Sequence, residues 1–200
     1  MSVAYEEAYQ RPGPLFRLRA EPWLARLVVD QRLHGRAMDL GCGDGRNSVF
    51  LSCSGFEVNA LDSAASAIAD VRRAAEALRL PIQATVGDVR DPVTGSEEYD
   101  LVAADTVICH LHEPEAQHLA GQIYSALRQG GWLYASGFGV GDPRQSEFAP
   151  LVRSYFDCDG FAALFEGFRV ARCGQVNVLD RSHGRPHGHV LVRLLAQKER

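Results

Sequence analysis

The sequence predicts a doubly wound α/β domain, with a mostly parallel seven-stranded sheet, helices on both faces and an antiparallel last strand. Three observations predict it. Short apolar runs alternate with helical segments along the chain, as a parallel sheet covered on both faces requires. A glycine-rich turn, Gly41-Cys42-Gly43-Asp44-Gly45, follows the first apolar run and leads into a helix. The last two apolar runs, about 168–179 and 187–195, are joined by only about seven residues. That gap is too short for a parallel crossover, so the final strand must reverse.

The elements follow in order. Pro22 opens a helix to about residue 33, with Trp23, Leu24, Leu27 and Val28 at helical spacing. Gly35 ends it. The first strand is 37–40, and after the glycine turn a helix over 46–54 turns Val49, Phe50 and Cys53 inward. Strand two is 57–61. An alanine-rich helix follows over 64–79, a strongly helix-favouring composition. Pro81 restarts the chain into strand three, 82–86. The polar loop 90–98 carries Pro92 and Gly95. Strand four is 99–104, and a helix over 114–129 closes at Gly130-Gly131. Strand five is 132–136, followed by a loop over 137–143 with three glycines and one proline. Short helices fall within 147–167, before the two final strands.

Two hundred residues fit one domain, 1–200, with residues 1–20 as an aromatic, proline-containing arm or lid. Net charge is −4 and the single lysine is Lys198. No basic stripe forms, which argues against nucleic acid as a partner. No apolar run reaches the length of a membrane span. The polar, acidic start is unlike a signal peptide. The five cysteines, Cys42, Cys53, Cys109, Cys158 and Cys173, are odd in number and lack CxxC spacing, so neither a disulfide framework nor a thiolate zinc site is expected. The reading is a cytoplasmic protein with no membrane partner, its oligomeric state unspecified.

Glycines at alternate positions let a bulky ligand lie almost on the backbone. Asp62 ends the next apolar segment, where a carboxylate suits a pair of ribose hydroxyls. Turn and acid together read as a nucleoside site. Arg46 stands where the dinucleotide fingerprint needs its third small residue, and no Lys follows the glycines as a phosphate loop requires.

The run Asp39-Leu40-Gly41-Cys42-Gly43-Asp44-Gly45, then Asp62, then Gly87-Asp88-Val89, then the strand 99–104, spans about residues 37–137. In this order it resembles class I S-adenosylmethionine-dependent methyltransferases. The run Gly45-Arg46-Asn47-Ser48 resembles in particular the small tellurite-resistance-type methyltransferases. The resemblance implies a Rossmann-like methyltransferase fold, S-adenosylmethionine as cofactor and methyl transfer as the activity. It implies that Gly41 and Gly43 line the methionine part of the cofactor, with Cys42, Arg46 and Asn47 beside them. Asp62, with Ser63, takes the ribose. Asp88 meets the adenine amino group, Val89 lies beside the ring, and Ala104 and Asp105 face the sulfonium.

The segment 180–189 holds three of the seven histidines, His183, His187 and His189. Strand six runs parallel to the others, so this hairpin lies at the ligand face. His187 and His189 are two apart on a strand and share one side. Three readings compete. One of these imidazoles is a general base, as a pKa near 6.5 permits. Alternatively the three hold zinc, iron or nickel, with Asp105 or His110 as a fourth ligand. In the third reading they are structural, hydrogen-bonded to Asp180. Tyr9, Arg11, His110 and Phe138 are candidate substrate contacts, and the aromatic residues Tyr5, Tyr9, Phe16, Phe138 and Phe148 are candidates to line the substrate pocket. Asp142, Glu147, Asp157 and Asp159 read as solvated. No GxSxG elbow or HExxH motif occurs. The function expected is methyl transfer to an oxygen, nitrogen, sulfur or chalcogen atom of a small molecule. The alternative is a non-catalytic protein that binds S-adenosylmethionine or a metal on the same fold.

Overall fold

The computed structural model describes residues 20–91, 97–148, 151–180 and 186–199. The arm with Tyr9 and Arg11, and the hairpin tip with His183, lie outside the described residues.

Helix α1 (Pro22–Asp30) leads to β1 (Gly35–Leu40), α2 (Arg46–Cys53), β2 (Phe56–Asp62), α3 (Ala65–Leu78) and β3 (Ile82–Val86). Then come β4 (Tyr99–Ala104), a short 3₁₀ turn (Ile108–His110), α4 (Glu113–Ala126) and β5 (Leu127–Phe138). The chain finishes with α5 (Gln145–Phe148), α6 (Cys158–Ala163), β6 (Phe168–Asp180) and β7 (His187–Lys198). The sheet order is β3-β2-β1-β4-β5-β7-β6. Strands β1 to β5 pair in parallel, and β7 lies between β5 and β6, antiparallel to both. The chain winds outward from β1 through β3, then returns to the other side of β1 with β4. That reversal opens a crevice at the carboxyl ends of β1 and β4.

The central strands bury both faces, as a doubly wound sheet demands. Leu101 and Ala103 of β4 pack with Leu24, Leu27 and Phe56 on one side. Val102 and Ala104 pack with Leu119, Ile123 and Phe161 on the other. Each of the larger apolar side chains among them contributes about 1.5–3 kcal/mol when removed from water. Helix α1 starts at Pro22 because Glu21 caps it, its carboxylate accepting from the Trp23 and Leu24 amides at 2.7 and 3.1 Å.

Four expectations are corrected. Helix α1 stops at Asp30, and Gly35 begins β1. Helix α4 stops at Ala126, because Leu127 takes an extended conformation, pairs with Tyr99 and is fully buried. The glycine pair therefore forms a bulge inside β5, not a helix cap, with Gly130 at φ 79°. Cys53 is exposed, because α2 turns Asn47, Ser48, Val49, Leu51 and Ser52 inward. Its first turn meets buried carboxylates, so polar residues face in there. All five cysteines are free thiols. Among the described residues no helix is long and apolar enough to cross a membrane.

Candidate cofactor and substrate site

The glycine turn folds over the end of β2. The amides of Gly41 and Cys42 both donate to the Leu61 carbonyl, at 2.8 and 3.0 Å. Gly41 and Gly43 are left-handed, at φ 67° and 53°. A Cβ on Gly41 would lie 2.7 Å from the Val107 side chain, so the approach itself demands glycine. Asp62 closes the turn. One of its carboxylate oxygens accepts the Gly43 amide at 2.9 Å and the other the Ala64 amide at 2.9 Å. Each oxygen keeps a lone pair for a further donor. Ser63 follows, half-buried.

Beneath the turn lies a residue that sequence reasoning passed over as a ligand. Asp39 is 1% exposed, and Ser48 donates to its Oδ2 at 2.5 Å. Its Oδ1 is buried with no hydrogen-bond partner among the described residues. Burial pushes this carboxyl up to about 7, against the pull of the Ser48 hydroxyl. A buried acid with an unmet acceptor suits an incoming cationic donor.

Across the switch point, Asp105 is buried at the end of β4 and accepts four hydrogen bonds. Tyr134 and Ser136 donate to Oδ1 at 3.0 and 2.5 Å, and Arg46 and Asn47 donate to Oδ2 at 2.5 and 3.2 Å. Burial alone would raise its pKa. The Arg46 guanidinium, with the hydrogen bonds from Ser136, Arg46 and Asn47, outweighs burial and holds it below the usual carboxylate value. A carboxylate so engaged anchors the side chains around it at the end of β4. The next residue, Thr106, is left-handed at φ 54°, an uncommon state for a β-branched side chain. The network reaches α1, since Asn47 accepts the Glu21 amide at 3.0 Å and Glu21 pairs with Arg193 at 2.8 Å.

Residues 25–136, which carry this turn and the carboxylates Asp39, Asp62 and Asp105, match the model of the tellurite resistance protein TehB. The chain belongs to the TehB family. Hemagglutinin 1 of Eikenella corrodens is 32% identical over 97 residues, covering 48% of this chain and 32% of that protein. A protein of Haemophilus influenzae strain 10810, named probable S-adenosyl-L-methionine-dependent methyltransferase TehB, is 28% identical over 97 residues, 48% of this chain and 34% of that protein. The crystal structure of TehB from Haemophilus influenzae superposes with a TM-score of 0.77 at 18% identity, over 90% of this chain and 63% of that one. The last likeness shows the fold. The chain thus spans about a third of the length of these two curated relatives.

The remaining positions of this TehB-family chain are less uniform. Asp88 is gripped by Arg90, whose Nε and Nη2 reach it at 2.9 and 2.6 Å, and Arg90 also reaches Glu115 at 3.2 Å. These bonds lower the Asp88 pKa to about 2. The side chains of Val89 and Ala104 are fully buried in the core.

A second group of residues gathers around Phe138 at the end of β5. Its ring lies 5.1 Å from that of His189, 6.2 Å from Tyr155 and 6.4 Å from His110. His110 is tied through Nδ1 to the Leu151 carbonyl at 2.9 Å, and burial lowers its pKa. His189 Nδ1 meets Asp142 Oδ2 at 3.0 Å. The Asp142 side chain is fully buried and also accepts the amides of Val190 and Arg144 at 2.8 and 2.9 Å. The expectation that Asp142 is solvated is therefore corrected: the turn after β5 folds back against β7 and encloses it. The rings of His187 and His189 are 4.8 Å apart, and His187 Nε2 lies 3.8 Å from Asp180.

The structure thus brings Asp39, Asp62, Asp105, Arg46 and Asn47 to the crevice, and His110, Phe138, His187 and His189 to its mouth. Strand β5 joins the two groups, with Ser136 and Phe138 on the same side. Sequence reasoning missed Asp39, Tyr134, Ser136, Asp142 and Tyr155. A signal existed for Tyr134 and Ser136, which alternate toward one face of a strand. Nothing in Gly141-Asp142-Pro143 separates a buried carboxylate from a turn residue.

Proposed function

We propose that this chain transfers a methyl group from S-adenosylmethionine to a nucleophilic atom of a small molecule. The observation that carries the reading is the convergence of the left-handed glycine turn, the Asp62 carboxylate and the unmet Asp39 oxygen in the crevice between β1 and β4. These groups fit the cofactor. Asp62 offers one lone pair per oxygen to two ribose hydroxyls. Asp39 offers its buried Oδ1 to the ammonium of the methionine part. Asp88, braced by Arg90, meets the adenine amino group. Arg46, half-exposed and anchored by Asp105, faces the crevice with the donors that Asp105 leaves unused.

The bound cofactor supplies an electrophilic methyl group, and its transfer is a displacement that depends on alignment. The task left to this chain is to place the nucleophile, exclude water and accept a proton. Phe138, Tyr155 and His110 wall the mouth. His187 and His189 stand on the substrate side, where they assist loss of the nucleophile's proton, either as a base or through an ion they hold. The negative net charge and single lysine favour a small molecule over nucleic acid.

The test is calorimetry with S-adenosylmethionine, followed by a labelled-methyl assay across oxygen, nitrogen, sulfur, selenium and tellurium nucleophiles. Binding and transfer are expected, with a His187→Ala/His189→Ala variant keeping cofactor affinity and losing about 10²–10⁴-fold in turnover. No binding would overturn the reading. Binding without transfer to any class would favour the non-catalytic alternative.

A further inference from the structure

We propose that Asp180, His187 and His189 bind a divalent transition-metal ion of the zinc type, with Asp142 as the outer carboxylate that orients His189. The β6–β7 register builds the site. Asp180 stands directly across from His187, and His189 lies two residues along the same strand. Three ligands thus share one face of a two-stranded ribbon. One ligand atom from each lies within 4.8 Å of the others. Atoms around one ion stand about 3–4 Å apart when each bond is about 2.0–2.2 Å. Asp180 Oδ2 already stands 3.8 Å from His187 Nε2, within that range.

The second observation is independent of that spacing. A metal-bound imidazole commonly gives its other ring N–H to a carboxylate, which fixes tautomer and orientation. His189 has that arrangement, with Nδ1 on the enclosed Asp142 at 3.0 Å, so Nε2 is the atom presented to an ion. Asp142 is held in turn by two backbone amides. The local charge also favours a cation. Asp142, Asp180 and Glu147 lie near the two imidazoles, and Glu147 is paired with Arg144.

Two histidines and one carboxylate leave coordination positions open, the pattern of catalytic rather than structural sites. The ion would hold a lone-pair-bearing group of the substrate beside Phe138. Only this placement on the substrate side rests on the function proposed above; metal binding does not.

The purified full chain is stripped with a chelator, desalted and titrated with Zn²⁺ and with Co²⁺ as a spectroscopic substitute. About one equivalent is expected to survive desalting, with Co²⁺ giving the visible absorption of a site of low coordination number. Asp180→Asn and His187→Gln should each abolish retention, and Asp142→Asn should weaken it by about 10–100-fold. Asp180 sits at a strand end and is partly exposed, so its variant reports on binding and not on folding. A wild-type chain that retains no metal, or an Asp180→Asn/His187→Gln variant that retains as much as wild type, would overturn the site. S-adenosylmethionine binding measured on the same samples separates the two claims. Cofactor without metal defeats the site alone, and metal without cofactor defeats the proposed function alone.

Discussion

The two ends of the crevice are built by different means. At the β1–β2 end, one β-α-β unit does most of the work. A left-handed turn, Asp39 before it and Asp62 after it meet because the chain returns at once in parallel. At the β5–β7 end, His110, Phe138, Asp142, Tyr155, Asp180, His187 and His189 come from separate segments and meet only after the sheet is complete. Backbone geometry makes the first end, and side chains from distant positions make the second. Substitutions should therefore act on one end without the other, except where Asp105 joins them.

The largest separation is expected from Gly43→Val. A branched side chain at φ 53° costs about 1–2 kcal/mol of stability and fills the crevice. Calorimetry should find no cofactor binding while Co²⁺ retention at the hairpin persists; retained affinity would break the comparison. Asp105→Ala should blur the two ends. It strands Arg46, Asn47, Tyr134 and Ser136, and denaturant unfolding should show a loss of about 3 kcal/mol, with both cofactor binding and turnover impaired. A neutral result would make the network ornamental. Asp62→Ala should weaken S-adenosylmethionine binding by about 1.5–3 kcal/mol and leave metal content unchanged.

The smallest effect is a pH dependence. The folded Asp39 carboxyl sits at about 7, above its ordinary value of 3.8, so the fold holds its proton. Stability is therefore lost as pH rises from about 4 to about 7 and levels off above. An ammonium donor favours the ionised form, so cofactor affinity should rise by up to tenfold per pH unit, about 1.4 kcal/mol, until about pH 7. Calorimetry in buffers of differing ionisation enthalpy should detect the released proton, and Asp39→Asn should flatten both trends.

The same contrast explains what the sequence disclosed. β3 and β4 carry their signals locally and fall at the expected bounds. The glycine turn and Asp62 are equally local. The bulge at Gly130-Gly131 was misread because a glycine pair after a helical run has the same composition in a cap and in a bulge. Asp142 was misread because its burial is decided by β7, more than forty residues away. His189 was found through clustering of histidines, but its partner had no local mark.

The position of β7 has a consequence for how the chain folds. β6 pairs with β7 alone, yet it leaves the ribosome first. It must wait, with no strand partner on either edge, until residues 187–198 arrive and insert beside β5. The same strand carries Arg193, whose contact with Glu21 ties down helix α1. Sheet closure, assembly of the mouth and fixing of α1 should therefore occur as one late event that spans nearly the whole chain, a slow step in refolding because its contacts are so distant in sequence. A nonsense change just before His187 would cost the sheet two strands, not one.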